Sequence, residues 1–188
     1  MTNFEKMRNG QLYNFNDDEV LASVKRANTL CGQLSLMSIS SPKYRSVIEE
    51  LVPGMPKSSA INPPFHCDHG TGIVIGENSF VNYDAIMLDG GMIKIGSNCK
   101  IGPRCQFLTP QHPIDYAQRR EPLETCLPIE IGDDCWLGGG VIVCPGVRIG
   151  ARCVIAAGSV VTRDIPADSL AAGNPAIVKR DLSQRIDE

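Results

Sequence analysis

Three places in this 188-residue chain hold residue types suited to chemistry. The first is Thr109-Pro110-Gln111-His112-Pro113. An unperturbed histidine titrates near pH 6.5, at about the right point to act as a general base in neutral solution. A solvated loop histidine between two prolines would look the same. Glu124, further along the same stretch, could orient and charge-stabilise the imidazole or be a plain surface carboxylate. The second place is Phe65-His66-Cys67-Asp68-His69. In an extended segment His66 and Asp68 face one way and Cys67 and His69 the other. Such a contiguous set closes poorly on one zinc ion, which leaves substrate hydrogen bonding or ordinary surface. The third is the group Asn82, Asp84 and Asp89, which can make turns or hold the hydroxyls of a sugar. Trp136, the single tryptophan, should point outward, covering an edge or walling a cofactor groove. No phosphate-cradling G-x-x-x-x-G-K-[ST], dinucleotide G-x-G-x-x-G, nucleophile G-x-S-x-G or zinc H-E-x-x-H is present, which weakens nucleotide hydrolysis, dinucleotide redox and serine hydrolysis.

The scaffold that must position these groups is repetitive. Ile131, Leu137, Val143, Ile149, Ile155 and Val161 fall at every sixth place. Four places further on in each hexad come Cys135, Val141, Val147, Cys153 and Ser159, and the same pattern recurs earlier around Ile75, Val81, Ile95 and Ile101. One hexad cannot bury its aliphatic residue alone, but stacked coils can, so the period predicts a mainly β parallel β-helix. Three hexads per coil would stack residues 18 apart, with Ile131, Ile149 and the residue before Pro166 in one column. Glycines after the aliphatic, such as Gly76, Gly102, Gly132 and Gly138, would ease the corners. Cys99, Cys105, Cys135 and Cys153 occupy the small position, where free cysteine packs as a small hydrophobe.

Two regions break the period. Residues 1–60 read as a helical cap, with Asp17 and Asp18 capping one helix and Ser41-Pro42 opening another that stops at Pro53-Gly54. Residues 61–188 form the β-helix, interrupted by a loop at 108–128 that carries His112 and Glu124. Loops of this length are often functional. The β-helix should end after Val161, followed by a basic tail with Lys179, Arg180 and Arg185. Lys plus Arg is 18 against 21 Asp plus Glu, a net charge of −3, which argues against a nucleic-acid-binding surface. There is no apolar run of membrane-spanning length and no apolar leader. The eight cysteines therefore read as reduced thiols of a cytoplasmic protein.

The aliphatic-Gly-x-x-small-x hexads resemble the hexapeptide-repeat acyltransferases. The rest of the chain is similar to their maltose/galactoside O-acetyltransferase family, closer to the maltose branch. The similarity runs through Glu5-Lys6-Met7 to Gly10-Gln11-Leu12-Tyr13, Phe65-His66-Cys67-Asp68, Asn82-Tyr83-Asp84 with Met87-Leu88-Asp89, Thr109 to Asp115, Val161 to Pro166, and Ala172-Gly173-Asn174-Pro175-Ala176. The resemblance implies a left-handed β-helix, acetyl-CoA as co-substrate with no metal, and a homotrimer with the site between adjacent subunits. It implies His112 as general base with Glu124 as its partner. It places Asp68, Asn82 and Asp89 at the acceptor sugar, and Trp136, Gly139, Ala157, Thr162, Arg163 and Arg180 along the CoA groove. Gly90 and Ile177 stand where galactoside enzymes carry Asp and Arg, Gly139 stands for their Ser, and Arg163 for a common Lys. The expected reaction is acetyl transfer to a hydroxyl of a maltose- or glucose-type sugar, with no membrane or nucleic-acid partner. A non-sugar alcohol such as an antibiotic is the alternative acceptor. A zinc hydratase similar to the gamma-class carbonic anhydrases would need His66, His69 and His112 to converge.

Overall fold

The computed structural model describes residues 1–184; Arg185, expected in the basic tail, lies outside them. The hexads wind into a parallel β-solenoid of about six turns. The first face stacks Ala60–Ile61, Phe80–Val81, Lys100–Ile101, Trp136–Leu137, Val154–Ile155 and Ser169–Gly173. The second stacks Phe65–Cys67, Ala85–Leu88, Gln106–Leu108, Ile142–Val143 and Val160–Val161. The third stacks Ile73–Ile75, Ile93–Ile95, Ile129–Ile131 and Arg148–Ile149. The repeated aliphatics point inward and are buried from Ile61 to Ile165 in one continuous core.

Register follows the hexads only in part. Glu130 pairs with Arg148 and Trp136 with Val154, the expected 18 residues apart. In the first coils the partners are 20 apart, as in Phe65 with Ala85 and Ile73 with Ile93. The two extra residues per coil sit between the second and third faces, at 68–72 and 88–92. The 108–128 loop leaves from the same corner one coil later. The solenoid also runs past Val161. Ile165 bridges Ile149 in parallel, Ser169–Gly173 adds a further strand beside Val154–Ile155, and Ala176–Asp181 then turns back antiparallel. Pro166 follows the bridged Ile165, outside the strands, where a missing N–H costs the ladder nothing.

The corner glycines have a different reason from the one the period suggested. A Cβ on Gly132 would lie 2.5 Å from the Ala151 nitrogen, and one on Gly102 would lie 2.6 Å from the Gly139 nitrogen. They are glycine because neighbouring coils touch there. Left-handed backbone falls instead on Asn78, Asn98, Asp134, Arg152 and Asp168 at one corner of successive coils, and on Asp84, Arg104, Gly140 and Gly158 at the next. The small position also does more than pack. Ser79, Cys99, Cys135 and Cys153 donate to the carbonyls of Gly96, Gly132, Gly150 and Pro166, at 2.7, 3.2, 3.1 and 3.0 Å. Each thiol or hydroxyl thereby satisfies a corner carbonyl of the next coil.

Three helices cover the N-terminal end. Helix α1 (Asn3–Arg8) carries a capping box between Thr2 and Glu5. Helix α2 (Asp18–Leu34) is capped by Asp17 and buries Val20, Ala27, Leu30, Cys31 and Leu34. Helix α3 (Tyr44–Leu51) buries Tyr44, Val47, Ile48 and Leu51. It begins later than Ser41-Pro42 suggested, because the Ser41 hydroxyl is engaged by the backbone of Ser38 and Lys43 caps without a side-chain bond. Helices α2 and α3 share one hydrophobic core with the coils. Among the described residues no helix is long and apolar enough to cross a membrane.

Candidate active site

The corner that breaks the hexad rhythm builds a cavity of about 440 Å³. Asp68 and His69 enter it from the first coil, Leu88 from the second, and Pro110, His112 and Glu124 from the loop. Tyr13, Phe15, Val20, Leu21 and Val24 close it from the N-terminal segment.

The loop is not irregular. Pro110–Gln111 pairs antiparallel with Leu123–Cys126, and Tyr13–Asn14 pairs with the other edge of that strand. In this small sheet Tyr13 stands opposite Glu124. The Tyr13 hydroxyl donates to Glu124 Oε1, while Glu124 Oε2 lies 3.8 Å from His112 Nε2. Phe15 packs edge-on against the His112 ring, with centroids 5.8 Å apart. The imidazole is half exposed and its carboxylate partner largely buried. A buried tyrosine thus holds one oxygen of a carboxylate whose other oxygen faces an accessible imidazole, an arrangement suited to general-base catalysis. Burial, followed by the bond to Glu124, pushes the Tyr13 hydroxyl far above its ordinary range, so it stays a proton donor.

Asp68 faces the same cavity. Burial, reinforced by the charges of Asp89 and Glu124, raises its carboxyl to about 7. Asp89, placed at the sugar by the resemblance, is fully buried. Its Oδ1 accepts from the backbone N–H groups of His69 and Gly70, and its Oδ2 from that of Gly72, at 2.8, 3.1 and 2.8 Å. Arg8 braces this turn from α1, donating to the carbonyls of Asp89 and Gly90 and to the Thr71 hydroxyl. Asp89 therefore shapes the turn that presents Asp68, and does not itself line the cavity. Gly90 abuts the Cys126 sulfur, so a larger residue there would have to displace it.

Asn82 stands elsewhere, with Trp136, Gly139 and Ala157, along a groove of about 600 Å³ on the first face. Trp136 points outward there, between Lys100 and Val154 of the adjacent coils. Gly140 N–H donates to the Pro103 carbonyl and Gly158 N–H to that of Gly139, while no described residue takes up the N–H of Gly139. Thr162, Arg163 and Arg180 are exposed near the C-terminal end and do not line that groove. The structure thus collects His112, Glu124 and Asp68 in one cavity and Asn82, Trp136, Gly139 and Ala157 in another. His66 is exposed while His69 is buried, and no three metal-ligating side chains converge among the described residues. Neither period nor catalytic motif singles out Tyr13, Phe15 or the inward reach of His69. The only sequence signal for Tyr13 is its place in the N-terminal resemblance, since its partner lies 111 residues away.

Residues 128–163 match the family model described as bacterial transferase hexapeptide (six repeats). A protein of Saccharomyces cerevisiae named as an acetyltransferase is 41% identical over 180 residues, covering 94% of this chain and 91% of its own. The chain belongs to the hexapeptide-repeat acetyltransferases. Among solved members, a maltose O-acetyltransferase from Clostridium difficile superposes with a TM-score of 0.94 at 38% identity, over 98% of this chain and 99% of that one. A Vibrio cholerae hexapeptide-repeat acetyltransferase, solved with acetyl coenzyme A, superposes with a TM-score of 0.86 at 38% identity, over 98% and 100% of the two chains. This acetyltransferase is of the maltose/galactoside O-acetyltransferase family.

Proposed function

We propose that this acetyltransferase moves acetyl from acetyl-CoA directly to a hydroxyl of a maltose- or glucose-type sugar. The observation that carries the reading is the Tyr13–Glu124–His112 chain on the wall of a cavity that Asp68 also lines. Asp68 binds the acceptor. His112 removes the hydroxyl proton as the oxygen attacks the thioester carbonyl, and Glu124 stabilises the imidazolium that forms. The unclaimed N–H of Gly139 offers a donor for the tetrahedral oxyanion. As the carbon–sulfur bond breaks, the imidazolium returns its proton to the CoA sulfur. No acyl-enzyme is required.

Acetyl-CoA lies along the groove of Trp136, Gly139 and Ala157, with Thr162, Arg163 and Arg180 toward its phosphates. Asn82 belongs to the acceptor from that side. The cavity and the groove lie apart on one chain, so direct transfer needs the cavity of one copy to meet the groove of another. A homotrimer accomplishes this, and the protein works as one.

The test is thiol release from acetyl-CoA with maltose, glucose and a galactoside. His112→Ala should fold normally and lose about 10²–10⁴-fold in rate, the usual share of a general base. A loss below tenfold removes His112 from that role.

A further inference from the structure

We propose that His69 is a specificity-determining residue of the acceptor cavity, whose Nε2 takes a second hydroxyl of the acceptor, so that the site selects polyols over monofunctional alcohols. This rests on the reading of that cavity as the acceptor site.

His69 is a buried polar group that the transfer mechanism does not use, yet it lines the same cavity as Asp68 and His112. Its Nδ1 is engaged by the Ser23 hydroxyl of α2 at 2.9 Å, its ring packs edge-on against Phe4, and its backbone N–H is held by Asp89. The ring is therefore held on two sides and its backbone by a third contact. No described residue bonds its Nε2, and no buried side-chain nitrogen or oxygen among the described residues is both sealed and unpaired. Nε2 is thus the edge that touches open space, and the open space bordering His69 is the cavity.

Burial, helped by Arg8 and Arg26 and opposed by Asp89, pushes the imidazole down to about 4. At neutral pH it is uncharged, with one nitrogen donating and the other accepting. If Ser23 donates to Nδ1, Nε2 carries the hydrogen. If Nδ1 donates to Ser23, Nε2 accepts. A hydroxyl can both donate and accept, so it meets either tautomer, whereas a carboxylate or an ammonium meets only one. Asp68 and Glu124 in the same cavity disfavour an anion. The opposite wall, from Phe15, Val20, Leu21, Val24 and Leu88, is apolar and suits the C–H face of a ring. His112 addresses the reacting hydroxyl from the loop and His69 sits on the first coil. A ligand that uses both imidazoles must carry at least two hydroxyls.

The test joins two readouts. In wild type without acetyl-CoA, glucose or maltose should shift the imidazole nitrogen resonances of His69, while 1-propanol should not. In steady-state assays His69→Phe should raise the sugar KM about three- to tenfold, the worth of one neutral hydrogen bond. The acetyl-CoA KM should stay unchanged, which also certifies the fold. His69→Gln, which restores a group that donates and accepts, should recover part of the loss. Unmoved nitrogens, an unchanged sugar KM in His69→Phe, or equal turnover of propanol and sugars would overturn the proposal. Failure of the transferase reading looks different: wild type would release no thiol with any sugar, while the His69 resonances still report whether a polyol binds.

Discussion

Asp68 holds its proton up to about 7, because burial and two neighbouring carboxylates penalise the anion. In the unfolded chain the same group ionises near 3.8. Between those values the native state binds more protons than the unfolded one, so this site contributes stability at low pH that is lost as pH rises through 7. Asp68→Asn mimics the neutral form. It should leave the melting temperature almost unchanged at pH 4 and raise it above wild type at pH 8, with weaker acceptor binding. Calorimetry across that range is the check, and an equal difference at both ends would refute the assignment. If Asp68 binds the acceptor as proposed, the site gives up stability to hold a polar group against a ligand. Tyr13 likewise uses its hydroxyl to fix the carboxylate that faces His112.

At the scale of elements, backbone contact between coils decides which glycines are replaceable. A Cβ on Gly132 would meet the Ala151 nitrogen at 2.5 Å and the Ala151 Cα at 2.8 Å, both rigid backbone atoms. Gly132→Ala must push two coils apart and should cost about 1–3 kcal/mol. Gly32, inside α2, has nothing within 4 Å of the same added carbon. Gly32→Ala should stabilise the protein by up to about 1 kcal/mol through helix propensity. Urea titrations of the two variants should move in opposite directions. If both moved down, the coil-contact argument would lose its contrast. The loop shows the same economy. Its hairpin borrows Tyr13–Asn14 as a third strand, so the central strand that carries Glu124 is paired on both edges, and the strand leading into His112 is paired with it on one.

For the molecule as a whole, the separation of the two cavities is the governing fact. Direct transfer brings hydroxyl and thioester into contact, and on one chain His112 and Trp136 line different openings. If the site is shared between copies, His112→Ala and a groove-blocking Gly139→Trp should each be inactive alone. Co-expressed as mixed trimers, they should regain roughly a quarter or more of the activity of wild type, because some interfaces then combine two intact halves. Sedimentation of wild type should give a trimer. Mixed trimers with no recovery would place both halves on one chain and require a different path for the acetyl group.

The hexads at Ile131 to Val161, the outward Trp136, the Asp17 cap and the odd stretch at 108–128 were all legible in the chain, because each is a local property: a period, a cap residue or a break in rhythm. Those features carry the solenoid and point to His112 and Glu124. The spacing of Ile75 and Ile95, 20 apart instead of 18, was also visible, and it marks the corner where the cavity forms. What no spacing could supply was the company these residues keep. Tyr13 reaches Glu124, Ser23 reaches His69, and Arg8 reaches the Asp89 turn across separations of 111, 46 and 81 residues. Periodicity states which face a side chain takes within its own coil. Only the packing of the N-terminal helices on the first coils determines which distant group meets it. Asp89 makes the point: its sequence position suits a sugar ligand, but the folded turn had already claimed both of its oxygens.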